Sequence, residues 1–575
     1  MDDIRIGVYV CWCGTNISLI VDVETIIAKE IEQLPNVVVS KGYKYMCSDP
    51  GQDMIIKDIK EHNLNRVIVA ACSPRIHELT FRKVLEKANL NPYFFEMVNI
   101  REHVSWVHTD REEATKKAKA LINAAIHRVV YHEAIDKRFV DINPATVIIG
   151  AGISGINAAL EIADAGRKVY LIERESRIGG LVSQIDLTYP YMTSVKQIMD
   201  PLINKLMFHP EIELFLESEI KEIFGYIGNF ETTVYRKNGE EVNLEFGNVI
   251  VATGLRPFNP QIIEEYAYGV LPNVLTSLEF EKLLKTGEIK TKTGKIPKHI
   301  VVIHCVGSRN PKYHEYCSTT CCMTALKYVN QIRAELPESK IYDIYADIRA
   351  IGKGCEELYI KTSRKNVKFL MFDQENGLPK IRKSNNYDSN SFEMLIDMNE
   401  IMCGKEIEVP ADLVILMVAL EAHESAKEIA HGVGISMCGN NFYIEKHPKL
   451  DPVATTTDGV FIVGNCHGPK NIPDSIAQGK AAAARILRDI SHGSVEVEPI
   501  TAEVNENLCC GCMTCINVCP YTAIKFDPEK RISHVNEILC KGCGTCGSAC
   551  PAGAITSKHF TDRQIMAQIE GLMFF

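Results

Sequence analysis

The sequence predicts an α/β protein of several domains: an N-terminal α/β domain, dinucleotide-binding Rossmann domains in the middle, and a small α+β domain with repeated cysteines at the end. Three observations predict it. The stretch "TVIIGAGISGINAALEIADAGRKVYLIERE" places a strand, a glycine turn, a helix and a second strand in succession. Apolar runs such as "NVIVATG", "DLVILMVALEA" and "DGVFIVGN" read as further strands of α/β sheets. The pattern C-x2-C-x2-C-x3-C-P then occurs twice, beginning at Cys509 and at Cys540.

Length and composition set the frame. A chain of 575 residues exceeds what one hydrophobic core organises, and 46% hydrophobic with 24% charged residues is an ordinary globular composition. The longest purely apolar stretch, "LVILMVAL", falls short of the roughly 20 residues that a bilayer demands. "MDDIRIGVYV" has no basic segment leading into an apolar run, so a cytoplasmic protein with no targeting segment and no membrane span is expected. The net charge of -10 argues against nucleic acid, which needs a basic surface, and favours protein partners. Twenty-one cysteines in such a chain point to metal or redox chemistry rather than to a disulfide framework.

Residues 1-135 alternate strands ("IRIGVYV", "RVIVAAC") with helices ("VETIIAKEIEQL", "TFRKVLEKANL"). Cys11, Cys13, Cys47 and Cys72 fall at strand ends or in loops, where ligands can meet. Spacing alone leaves a metal cluster, a redox thiol pair and small core residues all open.

Residues 136-295 form the first part of a dinucleotide domain. Gly150, Gly152 and Gly155 follow a strand and open a helix, and Glu173, next to Arg174, ends the following strand where a ribose-binding acid belongs. "RIGG" adds Gly179 and Gly180, "VIVATG" adds Thr253 and Gly254, and "FIVGN" in the return segment 421-495 adds Gly464 and Asn465. Together these segments resemble the thioredoxin-reductase-like disulfide oxidoreductase flavoproteins, which bind FAD.

Those flavoproteins place a second Rossmann unit, for a nicotinamide nucleotide, after the "ATG" strand. Here residues 296-420 occupy that place, and where the glycine fingerprint should start the chain reads His304, Cys305, Val306, Gly307. Nothing there lets a backbone approach a pyrophosphate, so nicotinamide binding is not expected. Four cysteines stand instead: Cys305 at a strand end, Cys317 and Cys321 one helical turn apart, and Cys322. If the insert folds back they converge on one 4Fe-4S cube, the alternative being a cluster of buried free thiols.

In residues 496-575 the two cysteine runs match the bacterial two-cluster ferredoxin pattern, in which three thiolates of one run and the fourth of the other hold each cube. Cys509, Cys512, Cys515 and Cys550 are thereby assigned to one cluster, and Cys540, Cys543, Cys546 and Cys519 to the other. A zinc ribbon would leave four of the eight idle. Cys510 lies outside the pattern and is expected to be a packed thiol. In "DRQIMAQIEGLMFF", Ile565, Ile569 and Leu572 or Met573 share one helical face, expected to pack on this module or, with Phe574 and Phe575, to dock a partner.

The strings "GVYVCWCGTNI", "YKYMCSDPGQ", "AACSPRIHE" and "CVGSRN…YCSTTCC", with the FAD turn and the double ferredoxin run, resemble the A subunit of heterodisulfide reductase over almost the whole chain. The resemblance implies FAD and several 4Fe-4S clusters, with flavin-based electron bifurcation. A two-electron donor, a hydrogenase or formate dehydrogenase subunit, would supply a disulfide-reducing path through B and C type subunits to the coenzyme M–coenzyme B heterodisulfide, and ferredoxin. The expected assembly is a dimer of hetero-oligomers. It also implies that Cys305, Cys317, Cys321 and Cys322 hold a cluster beside the flavin and Cys11, Cys13, Cys47 and Cys72 a further one, four clusters in all. The chain has no cysteine between Cys72 and Cys305, so the ferredoxin module that longer members insert in the flavin domain is missing. Lys327, on the helix-like run after Cys322, is expected to reach the flavin N5 or O4 edge as a catalytic residue. The competing readings are an NAD(P)H-dependent flavoprotein that reduces ferredoxin, and a non-bifurcating electron relay.

Overall fold

The computed structural model describes residues 3–24, 28–384 and 392–573. It forms two compact units, Val140–Val495 and a second made of Met1–Phe139 with Glu496–Phe575.

In the first unit, short strands, the central ones apolar and buried on both faces, build a five-stranded parallel sheet. Its order is Val460–Ile462, Asn248–Val251, Thr146–Ile149, Val169–Ile172 and Ile212–Phe215. The helices Ile153–Asp164 and Ile472–His492 pack together against it. The antiparallel strands Ser218–Tyr226, Asn229–Arg236 and Glu241–Phe246 supply a further buried cluster with it. A second parallel sheet runs in the order Val274–Thr276, Leu413–Val418, His299–Val306, Lys340–Tyr345 and Val367–Met371. The two crossing segments pair with each other, Leu255–Pro257 antiparallel to Leu420–Ala422. This is the thioredoxin-reductase-like pair of Rossmann domains. The second sheet takes its edge strand from residues before 296, where the sequence pattern sets a boundary.

In the other unit, Val37–Tyr43, Ile6–Cys11, Arg66–Ala71 and Phe95–Asn99 form a four-stranded parallel sheet in that order. The cysteine repeat folds as two antiparallel strand pairs, Ala502–Val504 with Ile555–Ser557 and Ile524–Asp527 with Ile532–Val535, with short helices Thr514–Val518 and Thr545–Ala549.

Three sequence expectations need correction here. The sequence pattern separates residues 1-135 from 496-575, and the chain joins them through its last helix, Asp562–Met573, which packs along Arg111–Val129 rather than on the cysteine module. Asn123 Nδ2 donates to the Gly571 carbonyl at 2.7 Å, and Gln564 Nε2 to the Tyr131 carbonyl at 2.9 Å. The buried face is Gln564, Ala567 and Gly571, because the backbones approach so closely that a Cβ on Gly571 would lie 2.7 Å from Ala124 Cα. The apolar stripe of Ile565, Ile569, Leu572 and Met573 therefore faces outward, 41 to 73% exposed. Phe574 and Phe575 lie outside the described residues. Cys510, expected to be packed, is exposed.

Candidate functional site: a dinucleotide cavity and four cysteine quartets

A cavity of ≈ 1120 Å³ opens at the C-terminal ends of the first sheet's strands, where open parallel sheets bind ligands. Gly150, Gly152, Glu173, Arg174, Gly179, Gly180, Thr253, Gly254 and Asn465 line it. The glycine turn divides its tasks. A Cβ on Gly155 would sit 2.0 Å from the Gly150 carbonyl oxygen and one on Gly150 2.5 Å from that of Ala252, so these two allow the helix to close on the sheet. A Cβ on Gly152 meets nothing within 4 Å: it would project into the space in front of the N-terminus of Ile153–Asp164, where a pyrophosphate would lie. Gly464 does not line the cavity. Its φ is +72° and a Cβ would strike Ser154 Oγ at 2.1 Å. Glu173 accepts from Ala151 N at 2.8 Å and Glu175 N at 2.9 Å, which fixes its carboxylate at the cavity edge. A glycine cradle, an acid at the second strand end and a long cavity are what FAD requires. Lys282, Lys285, Arg177, Arg256 and His423 also line the cavity. Sequence reasoning missed them, because a lysine in "EFEKLLK" has the pattern of any exposed helix face.

Lys327 is not among the lining residues. Its ammonium is buried in an ion pair with Glu281 and donates to the Leu187 carbonyl at 3.1 Å. Glu281 in turn accepts from Asp186 N at 3.2 Å. Burial lowers the Lys327 pKa and Glu281 counters the fall. The expectation of a lysine reaching into the cavity is thus corrected: Glu281 captures it, and the pair supports the segment whose residues 180–184 form the cavity wall.

The structure brings Cys305, Cys317, Cys321 and Cys322 into one another's electrostatic range. Cys305 has φ +58° at a register shift between Ile303 and Val306, a bulge that re-aims the strand end. Cys321 and Cys322 open the helix Cys321–Glu335, and Cys317 in the loop before it accepts from Thr319 N at 3.3 Å. Burial raises Cys305 to about 11 and Cys321 well above the usual thiol range. Burial acts on Cys322 in the same direction, yet the neighbouring His304 helps bring it below that range. His304 is fully buried, 2.7 Å from Asp343 Oδ1 on the next strand. Burial alone would lower His304, but Asp343 holds it up at about 10. Neither ring nitrogen of His304 has a well-aligned hydrogen-bond partner. Buried ring nitrogens without an aligned hydrogen-bond partner, beside four thiol groups, suit an iron–sulfur cluster whose sulfurs accept hydrogen bonds.

Among the described residues, the one trio of Cys, His, Asp or Glu ligand atoms mutually within 4.8 Å is Asp58, Glu61 and His62. The cysteine sulfurs are thus spread more widely than a single zinc ion at about 2.3 Å bonds would hold them, whereas a cube places thiolates at separate corners.

In the other unit, Cys11 ends a strand, Cys13 has φ +50°, and Cys47 and Cys72 each precede a serine and a helix with proline in its first turn, Asp49–His62 and Pro74–Lys87. Helix N-termini favour thiolates. Cys11, Cys47 and Cys72 all feel the charge of Cys13, whose Sγ accepts from Arg101 Nη1 at 3.4 Å. Burial raises Cys72 to about 12. In the C-terminal module, Cys540, Cys543 and Cys546 line one small hollow together with Cys519 of the other run. Cys515 and Cys550 pack in the module's core, whereas Cys512 is exposed and Cys509 half-buried. Lys541 lines the hollow of Cys519, Cys540, Cys543 and Cys546. Ala502, Ala523 and Ala554 backbone N–H groups point to Cys540, Cys519 and Cys550, each at 3.3 Å, and Ser533 Oγ lies 3.2 Å from Cys515.

Comparison with known proteins completes the picture. Residues 144–303 match the pyridine nucleotide-disulphide oxidoreductase family, a match that ends one residue before His304, and 508–556 match the 4Fe-4S dicluster domain. One iron-sulfur A subunit of the CoB–CoM heterodisulfide reductase of Methanopyrus kandleri, the second of two, is 40% identical over 99% of this chain and 98% of its own. The A subunit of the H(2):CoB-CoM heterodisulfide,ferredoxin reductase of Methanothermobacter marburgensis is 38% identical over 100% and 98%. The first alignment runs over 653 positions against a chain of 575 residues, so that relative has stretches without a counterpart here. Among solved structures, T. acidophilum thioredoxin reductase is similar over 60% of this chain and 99% of its own, with 15% identity and a TM-score of 0.42. Among the described residues no helix is long and apolar enough to cross a membrane.

Proposed function

Since the chain belongs to the family of heterodisulfide reductase A subunits, an electron-transfer family with flavin and iron–sulfur domains, we propose that it splits electron pairs from a donor subunit between two one-electron paths. One path leads to a disulfide-reducing partner of the B and C type and the other to ferredoxin. The donor is a hydrogenase or formate dehydrogenase subunit, and the heterodisulfide of coenzymes M and B is the substrate of the partner.

Bound FAD and 4Fe-4S clusters would supply the exchange between two-electron and one-electron chemistry. The chain's own residues do the rest. Gly152 and the helix behind it would take the pyrophosphate, Glu173 the ribose, and the segment 180–184, supported by Glu281 and Lys327, would form the wall along the ring system. Cys305, Cys317, Cys321 and Cys322 would hold one cluster in this domain. Cys11, Cys13, Cys47 and Cys72 would hold another, and the C-terminal runs two more.

The observation that carries this reading is the state of the second Rossmann turn. A Cβ on Gly307, unlike one on Gly152, would lie 2.5 Å from the Phe258 ring, so this turn has no room for a pyrophosphate, and the cysteines follow it directly. That disfavours the NAD(P)H-dependent alternative. NADH added to anaerobic holoprotein is expected to leave the flavin absorbance unchanged while a chemical reductant bleaches it. Bleaching by NADH at a comparable rate would replace this reading with the nicotinamide one. Bifurcation itself requires that reduction of ferredoxin by the intact complex stop when the disulfide is withheld; its continuing unabated would leave a simple relay.

A further inference from the structure

Two of the four middle cysteines have an arginine as neighbour, Arg309 beside Cys305 and Arg349 beside Cys317. Asp347 bridges the two guanidinium groups, at 3.6 Å and 3.4 Å, and its carbonyl lies 3.5 Å from Cys322 Sγ, so both arginines converge on the quartet. The compensating Asp347 carboxylate is half exposed and screened by solvent. In the C-terminal quartets backbone N–H groups point to Cys540, Cys519 and Cys550.

An iron–sulfur cluster gains a negative charge on reduction, and its potential follows local charge, hydrogen bonds to sulfur and exposure. Resting on the reading that these four cysteines hold a cluster, we propose that Arg309 and Arg349 are positioning residues that raise its reduction potential, so that this cluster takes the downhill electron. No proton transfer is involved; the effect is that of the fixed guanidinium charges.

The test is a potentiometric titration of the anaerobic holoprotein followed by electron paramagnetic resonance. The middle cluster's signal is identified as the one missing from a Cys321→Ser, Cys322→Ser double variant. Arg349→Gln and Arg309→Gln are each expected to lower the reduced-to-oxidised ratio of that signal about tenfold at fixed solution potential, about 59 mV for a one-electron couple. Arg349→Lys should retain most of the parent ratio, and the C-terminal signals should not move in any variant. Unmoved midpoints with the signal intact, or equal shifts in the C-terminal signals, overturn the inference. If Arg309→Gln loses the cluster, the Arg349→Gln and Arg349→Lys pair decides the matter. Absence of any signal specific to the double variant sinks the cluster assignment itself, a different failure from a signal that is present and does not shift.

Discussion

The middle cysteine quartet and the C-terminal cysteine repeat offer the same ligand atoms in opposite settings. The first is assembled from a strand end, a loop and a helix start within a Rossmann sheet, with Cys305, Cys321 and Cys322 buried, and has Arg309 and Arg349 as neighbours. The second is assembled from two short repeats that supply backbone N–H donors and leave Cys512 and Cys543 exposed. The difference teaches that ligand spacing settles where a cluster can form, whereas the groups around the sulfurs settle what it does. The N-terminal quartet stands between them, with a single guanidinium, Arg101, on Cys13.

The comparison can be broken most severely at the cavity. Gly152→Val puts a branched side chain into the open space before the helix N-terminus and is expected to cut bound flavin at least tenfold while leaving the C-terminal cluster signals intact. Parallel loss of those signals would show that the two regions are not independent. Next in size is Lys327→Met, which leaves Glu281 buried without its cation. A loss of about 3–5 kcal/mol in unfolding free energy is expected, largely restored when Glu281→Leu is added. Denaturant unfolding of single and double variants checks it, and equal stability of the single variant and the parent would contradict the buried pair.

A smaller effect distinguishes how the regions are anchored. The C-terminal segment meets the N-terminal domain at a histidine stack, His559 on His132 at 4.3 Å, beside Glu96 and Arg128. Burial lowers His559 to about 4 and His132 to about 2, and it raises Glu96 to about 7. Both histidines stay neutral in the folded chain, so their contribution is complete above about pH 6.5 and drains away as the pH falls below it. Glu96, protonated in the folded state over the same range, offsets one of them. The net expectation is a loss of about 1.4 kcal/mol per pH unit between about pH 6.5 and 4.5, flattened in His559→Gln. A parent profile already flat there would refute the neutral stack. Smallest of all, Ser533→Ala should shift a C-terminal cluster midpoint by less than Arg349→Gln shifts the middle one, because it removes a hydroxyl dipole 3.2 Å from Cys515 and no formal charge.

Much of this is legible in the sequence, for a physical reason. The glycine turn, the return strands and the cysteine repeat are local patterns in which neighbours along the chain are neighbours in space. The partners of those patterns are not legible. His304 and Asp343 meet through the register of two parallel strands, and Arg101 reaches Cys13 from a different strand end. Lys327 reads as a free helical lysine because Glu281 lies on another helix. The last helix misleads in a related way: its apolar stripe suggests the buried face, while close backbone approach selects Gln564, Ala567 and Gly571.

The most direct test of the central claim, that the middle cysteines carry a cluster where a nicotinamide site would otherwise be, is an iron and flavin count on protein isolated without oxygen. The account predicts one FAD and about 16 iron atoms per chain, falling to about 12 with the flavin retained in the Cys321→Ser, Cys322→Ser variant. About 8 iron atoms in the parent, or a count unchanged by the double substitution, would contradict it.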